Sequence, residues 1–544
     1  MAQTDFDVIV IGSGAGGMTT ALPLAQSGKK VLVLEQHYVP GGWTHSFTLD
    51  GYRFSPGVHY IGGIGPEGQM RRIYEGLGVS ADLAFCELNP DGFDHVYLGE
   101  ERFDIPKGKD TFAARLKSRF PNESRGIDRY LNTVQALMDE LPHTKVRGVL
   151  DAIRLPFRAP NLLRWATQSA GKLINHCVMD PDLRAILAAQ SGDHGMPPSL
   201  VSAPLHAGVT RHYFDGGYYP KGGAAAIPRA FSRAIKRAGG EVRLSTKVAK
   251  ILLSNHQVTG VQLADGTEIS APIVVSNADP EVTFGKLVGK EHVSRKFRKK
   301  LDGVEYSTSA ISLFLAVDMD LRAAGLDSGN FWYYSHNDID QVYLNGMSDH
   351  AMHAAIPEAI FLTATTLKDP SKRYKGHHTL EAFSFVGYEP FRRWAQEQCG
   401  NRSEDYEKLK ERLMDAMLAA IDARVPGLSQ HVVFRALGTP LSNEYYLNST
   451  DGNMYGISKG RFQVGPWAFA NKTEIDGLWM SGASTKAGHG VAGATYSGIA
   501  TARQILSCRT SELLAQDGPE LQVYPSEHPE QWPEDVRPRD YASV

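Results

Sequence analysis

The first apolar block of the chain, Phe6 to Ile11, is nearly continuous, whereas a strand with one wet face alternates. It predicts a strand buried on both faces. Val31 to Leu34 repeats the pattern, and Glu35 ends it. Between the two a helix is expected through Gln26, with Gly28 as its stop. Pro23 lies beyond the first turn and should kink that helix. Further on, Ile227, Phe231, Ile235 and Ala238 fall on one face of a helix that Gly239-Gly240 ends. From Glu241 to Ala278 the pattern reads strand, hairpin, strand, with Asp265-Gly266 as the turn. Leu478 to Met480 is a short strand running into Gly482, and a helix of small residues begins near Val491.

The polar punctuation between the first two strands carries chemistry. Gly12, Gly14 and Gly17 spell G-x-G-x-x-G, with Ser13, Ala15 and Gly16 between them. Gly12 permits the tight turn, Gly14 lets a pyrophosphate approach the backbone, and Gly17 lets helix and strand pack closely. The helix start offers unpaired N–H groups and a positive dipole end to phosphates. Glu35, about 20 residues further on, can accept hydrogen bonds from a ribose. Strand, glycines, helix, strand and acid in this order specify a Rossmann-type dinucleotide site. Gln36 follows the acid, and Gly41, Gly42 and Trp43 bring a second stretch of backbone close to the cofactor.

The continuation is family-specific. "VLVLEQHYVPGGWTHSFTLDGYRFSPGVHYIG" resembles the N-terminal region of the phytoene desaturase-related FAD-dependent oxidoreductases, which include carotenoid desaturases, carotenoid isomerase and retinol saturase. Its "LEQH", double glycine and "GVHYIG" are most similar to retinol saturase. "YYPKGGAAAIPRAF" and "IDGLWMSGASTKAGHGVAGATYSGIATARQIL" resemble two later segments of the same family. The resemblance implies non-covalent FAD, with Val248 at the adenosine and Gly482, Ala483 and Val491 at the flavin. It also implies an α/β fold with a discontinuous FAD-binding domain (1–75, 215–290 and 465–510). A substrate domain of mixed sheet and helices (76–214 and 291–464) fills the intervals. The last helix would direct its positive end at the flavin pyrimidine edge. Gly63, Gly65 and Gly68 repeat the glycine spacing, but their flanks resemble the family's loop, so they are read as a Gly-Pro loop rather than a nicotinamide site.

Composition narrows the rest. Of 544 residues, charged groups leave a formal net charge of −3, which does not support bulk nucleic-acid binding. The four cysteines are far apart and form no CxxC pair, which argues against a disulfide framework or zinc knuckle and suits a reducing, cytoplasmic setting. No signal peptide, transmembrane run or metal motif is expected. His194, His206 and His212 lack metal-ligand spacing. Residues 143–175 place Lys145, Arg147, Arg154, Arg158, Arg164 and Lys172 against one acid, Asp151, with Leu155, Phe157, Leu162, Leu163 and Trp165 interleaved. That is the pattern of a peripheral membrane contact, and a solvated helical face is the alternative. The Pro- and acid-rich tail, 515–544, lacks a core of its own and is expected to wrap the surface or stay flexible.

Flavin carries redox chemistry, so the protein supplies binding, orientation and electrostatics. The expected substrate is a lipophilic polyene (a carotenoid, retinoid or related lipid) whose carbon–carbon double bonds are desaturated or saturated. The alternatives are cis–trans isomerisation, an amine oxidase-like reaction, or a flavin-bound lipid carrier without turnover. His59, Tyr60, Tyr219 and His489 are the candidate proton donors. An aromatic cage beside the flavin favours amine oxidation and a long apolar tunnel favours a polyene. The sequence sets no oligomeric state.

Overall fold

The computed structural model describes residues 4–144 and 149–538. Five parallel strands form the first sheet, in the order Leu478–Met480, Ile273–Ser276, Val8–Ile11, Val31–Leu34, Glu241–Arg243. Val8–Ile11 and Val31–Leu34 are buried at every position, as continuous apolar runs require. Helix Ala15–Gln26 runs unbroken through Pro23 and packs between helices Ala226–Arg237 and Gly490–Leu506. Small residues set that approach: a Cβ on Gly498 would stand 2.6 Å from the Gly16 carbonyl oxygen.

The region after Arg243 holds one more reversal than the sequence pattern predicts. Val248–Ser254 and Gln257–Leu263 pair antiparallel through Asn255 and His256, whose φ values are 49° and 64°. A two-residue hairpin loop needs that left-handed geometry, and the asparagine suits it. The Asp265-Gly266 turn then leads to Glu268–Ser270.

A second sheet of seven strands runs Val432–Gly438, Ser309–Val317, His378–Val386, Ala359–Ala364, Asn330–Tyr334, Asp94–Leu98, Glu101–Ile105. Only the pairing of Asn330–Tyr334 with Asp94–Leu98 is parallel. His378–Val386 is buried at all its positions because both faces of the sheet are covered. Phe383 and Phe385 join an aromatic cluster with residues of the helices between Lys109 and His212. Leu380, Ala382 and Val386 pack with helix Glu404–Asp422.

The C-terminal tail wraps the body. Gln522–Pro525 pairs parallel with Ala84–Glu87, and Trp532 is 1% exposed, its Nε1 donating to the Pro525 carbonyl at 2.7 Å. The segment 143–175 forms helices Val149–Arg158, Pro160–Trp165 and Ala170–Cys177, while Lys145 and Arg147 lie outside the described residues. Trp165 departs from the membrane-facing expectation. It is 6% exposed and belongs to the aromatic cluster, so it fastens the segment to the body.

Candidate cofactor cleft and its buried polar network

Where the parallel strands end, a cleft of about 1570 Å³, including its open mouth, runs along the first sheet. This is where open α/β sheets bind ligands, since helix starts and loops converge there. Gly12 turns with φ +91°, and Gly14 is the N-cap of Ala15–Gln26 without any side-chain cap. The first-turn N–H groups are therefore available to a phosphate. Gly14 itself has an ordinary φ of −62°, so space rather than conformation requires glycine there: a Cβ would meet Asn277 Nδ2 at 2.6 Å.

Of the fifteen residues expected at the cofactor, all but Ser13 and Gly17 line this cleft. Those two build the wall from behind. Ser13 donates N–H and O–H to Glu35 Oε2 at 2.9 and 2.6 Å, and its Oγ accepts the Gly41 N–H at 2.8 Å. It thus ties both glycine segments to the acid. A Cβ on Gly17 would lie 2.1 Å from the Gly12 carbonyl oxygen, so this glycine serves helix–strand contact.

The donor set fits a dinucleotide. Glu35 is 8% exposed, and its Oε1 accepts only the His37 N–H at 2.9 Å. A carboxylate has about four acceptor positions, and three are taken, which leaves one for a ribose hydroxyl. Asn277 Oδ1 is buried without a partner between Gly14, Gly16 and Gly482. Gly42 brings its backbone against Gly14, at φ +53°. At the far end, Gly490, Val491 and Ala494 of the 17-residue helix Gly490–Leu506 present its N-terminus to the cleft. Gly57 keeps its loop close to Trp43, because a Cβ there would stand 2.7 Å from the indole. The loop of Gly63 and Gly65 differs from the Gly12–Gly17 turn: both N–H groups are directed at the Asp215 carboxylate, at 3.3 and 3.2 Å.

Sequence reading missed Asn277, Met454 and Tyr455, which also line the cleft. Asn277 had a usable signal, since it follows strand Ile273–Ser276 at the edge of the sheet where ligands bind. Met454 and Tyr455 had none, because they sit in a loop more than 400 positions after the glycines. With Trp43 they join the cleft to the aromatic cluster over the second sheet, Met454 as a member and the other two packed against it.

The four candidate proton donors are all parts of one buried polar network, and none of them is on the cleft wall. His59 turns its ring against Phe361 and Phe383, with Nε2 3.1 Å from Glu381 Oε2. Burial lowers its pKa, and Glu381 partly opposes this. Tyr219 is fully buried, and its hydroxyl accepts from Lys372 Nζ at 2.9 Å. Lys368 Nζ donates to the His59 carbonyl at 2.7 Å and to Asn330 Oδ1, and burial lowers this lysine to about 7. Asn330 donates on to Asp94 at 3.0 Å, and Tyr60 stands between Asp94 and Asp193. His489 does not cap the helix it precedes. Its Nε2 donates to the Asp193 carbonyl at 2.7 Å, and burial drives its pKa down to about 3.

His206 Nδ1 lies 3.3 Å from His194 Nε2, and His212 Nε2 accepts the Gly62 N–H at 2.9 Å. Among the described residues no group of three or more His, Cys, Asp or Glu side chains is placed to hold a metal ion.

Comparison with known proteins agrees with this geometry. The family model described as flavin containing amine oxidoreductase matches residues 15–506. The all-trans-retinol 13,14-reductase of Danio rerio is 33% identical over 503 residues, 88% of this chain and 82% of the relative. That of Homo sapiens is 31% identical over 500 residues, with the same coverage of 88% and 82%. The chloroplastic prolycopene isomerase of Daucus carota is 28% identical over 519 residues, 92% of this chain and 80% of the relative. Among solved structures, an oxidoreductase from Methanosarcina mazei superposes with a TM-score of 0.62 at 17% identity, covering 91% of this chain and 99% of its own. Putrescine oxidase bound to putrescine gives a TM-score of 0.60 at 16% identity, covering 92% and 99%. At such identity the structures show the fold alone.

Proposed function

The chain belongs to the flavin containing amine oxidoreductase family, and we propose that it is an FAD-dependent oxidoreductase that adds or removes hydrogen across a double bond of a lipophilic polyene. The retinol reductases and the prolycopene isomerase named above act on such polyenes, and they are related over most of this chain. Bound flavin supplies two-electron chemistry. Glu35, the Gly14 backbone and the starts of helices Ala15–Gln26 and Gly490–Leu506 would hold and orient it. Gly12, Gly42, Val248, Gly482 and Val491 leave or shape the space.

The observation that carries this reading is the seam at Trp43, Met454 and Tyr455, where the cleft meets the aromatic cluster of Trp332, Phe361 and Phe383. A substrate entering there exchanges water for apolar and aromatic surface, which favours a hydrocarbon chain over a charged amine. Purified protein is expected to show a flavin spectrum whose chromophore is released on denaturation. Reduced anaerobically and mixed with all-trans-retinol, it should reoxidise as a double bond is lost. Prolycopene isomerised with no net flavin reoxidation would instead establish the isomerase reading, and inertness toward both would defeat the polyene assignment.

We further infer that helices Val149–Arg158 and Pro160–Trp165 rest on a membrane surface from which such a substrate is drawn. No helix among the described residues is long and apolar enough to cross a membrane. Ile153, Phe157 and Leu163 are 61%, 85% and 48% exposed on this segment, beside Arg154, Arg158 and Arg164. Apolar side chains next to cations suit an anionic interface. Burying Ile153 and Phe157 contributes about 1.5–3 kcal/mol each. Ile153→Ser/Phe157→Ser should therefore lower binding to phosphatidylserine-containing vesicles on the order of a hundredfold in a flotation assay. Unchanged flotation would mean that the segment is a solvated face.

A further inference from the structure

Asp193 occupies the 3-10 turn Ala189–His194, which is held beside the cleft by two hydrogen bonds. Its carbonyl accepts from His489, which precedes the cleft residue Gly490, and the adjacent Gly192 carbonyl accepts the Tyr455 hydroxyl at 2.9 Å. Gly192 and His194 are closed to solvent, yet Asp193 keeps accessible surface, as do Tyr455 and His489. Tyr455 also lines the cleft, and its hydroxyl bond to the Gly192 carbonyl sets Asp193 one residue from that wall.

The proton count around Asp193 is informative. Tyr60 Oη is 2.9 Å from Asp193 Oδ2 and 3.2 Å from Asp94 Oδ2. A phenol has one proton and cannot donate to two carboxylates at once. Asp94 also receives N–H donors from Asn330 at 3.0 Å and Gln190 at 3.2 Å, which suit an anion. Among the described residues, Tyr60 is the only side chain that bonds the Asp193 carboxyl. The second proton therefore belongs on Asp193, giving a directed chain in which Asp193 donates to Tyr60 and Tyr60 donates to Asp94.

We propose that Asp193 is the acid that delivers a proton to a substrate carbon at the inner end of the cleft, with Tyr60 and Asp94 as its positioning residues. The proposal rests on the polyene reading above. The surrounding charges agree. Burial first, then the Asp94 charge, raise Asp193 well above the usual carboxylate range, while Asp94 is raised only to about 6 because its donors oppose burial. The titratable groups facing Asp193 are phenols (Tyr60, Tyr213, Tyr334, Tyr343 and Tyr455) and the imidazoles of His489 and His194, both kept neutral by burial. Neither buried lysine of this region bonds the Asp193 carboxyl: Lys368 is directed at Asn330 and the His59 carbonyl, and Lys459, whose charge acts on His194 and His489, donates to the Ala483 carbonyl at 2.8 Å. In saturation of a C=C bond one carbon accepts a hydride, the chemistry that reduced flavin provides, and its neighbour accepts a proton. The Asp193 O–H turns from Tyr60 to the substrate carbon and breaks with its electron pair left on oxygen. The new C–H bond takes the displaced π pair, and Tyr60 stays within donating distance of the new carboxylate at 2.9 Å. The carboxylate regains a proton from the wet cleft before the next turnover.

Infrared spectroscopy of the flavin-loaded protein tests the proton directly. At neutral pH a protonated carboxylic acid band that shifts in D₂O is expected, absent from Asp193→Asn. In Asp94→Asn burial still favours the acid, but the band should give way to carboxylate at a lower pH than in wild type, because Tyr60 is then free to donate to Asp193. Absence of the band from the wild type, or its retention in Asp193→Asn, would overturn the proposal. With a turned-over polyene, Asp193→Asn should keep its flavin spectrum while kcat falls by about 10²–10⁴, the usual contribution of a general acid. An unchanged kcat would also overturn it. The infrared result needs no substrate, so a protein that turns over no polyene would defeat the functional reading while still deciding where the proton resides.

Discussion

Gly14→Val protein is expected to fold and to purify with little or no flavin. The backbone at Gly14 is compatible with any residue, and the obstacle is room, since a Cβ would sit 2.6 Å from Asn277 Nδ2. That amide is the end of a side chain and can move aside, so the fold survives. The valine methyls then occupy the space at the helix start through which a phosphate reaches the N–H groups. Each charge-assisted hydrogen bond lost costs about 1.5–3 kcal/mol. Two of them weaken affinity on the order of a hundredfold or more. The measurement is the flavin-to-protein absorbance ratio, followed by titration of added FAD. Gly17→Ala provides the contrast. Its Cβ would fall 2.1 Å from a backbone oxygen that cannot move without the strand, so thermal stability should drop. Gly14→Val that retains a full complement of flavin would show that the cofactor does not rest on this turn.

Glu381→Ala is expected to be among the most destabilising single changes in the second sheet. Glu381 is 1% exposed on a strand buried on both faces. Its Oε1 accepts the Ser55 N–H at 2.9 Å and lies 3.9 Å from Lys372 Nζ, and its Oε2 faces His59. Truncation removes the larger of the two countercharges of a fully buried ammonium and leaves only Asp369, and breaking such a pair costs up to about 3–5 kcal/mol. Lys372 keeps its contacts with Tyr219 and Thr365, at 2.9 and 2.8 Å, but both are neutral. Glu381→Leu combined with Lys372→Met should recover much of the loss, because an apolar pair of similar volume removes both charges together. Urea midpoints, or inactivation half-lives if unfolding is irreversible, would read both effects. A melting temperature within a degree of wild type for Glu381→Ala would remove this ion cluster from any account of stability.

The cofactor cradle was legible because its constraints are local. Tight turn, helix start and acid fall within Gly12 to Glu35, and each demands a particular residue type at a short, fixed spacing. Its partner Asn277 was less visible, since an asparagine after a strand has many uses and only the parallel pairing of Ile273–Ser276 with Val8–Ile11 brings it to the glycines. His59 shows the opposite case. It is conspicuous beside a Pro-Gly turn, but its loop places Gly57 and Val58 on the cleft wall and turns the imidazole toward Glu381, 322 positions later in the chain.

Trp165 and Trp532 illustrate why surface and core were harder to separate. Interleaved cations made Trp165 look interfacial, and a Pro- and acid-rich setting gave Trp532 no core of its own, yet both are buried against distant segments. Burial of an isolated aromatic depends on what the rest of the chain places over it, and periodicity does not report that.

The sequence by itself therefore determined the dinucleotide cradle, the family and the flavin chemistry, because backbone geometry and phosphate recognition act over a few residues. Only the tertiary structure decided which acids and bases meet. The contact of Lys368 with the His59 carbonyl joins positions 309 apart, and Tyr60 reaches Asp193 across 133. A proton's location depends on desolvation and on the full set of donors around a carboxyl, and those exist only once the two sheets and the helices between them have packed.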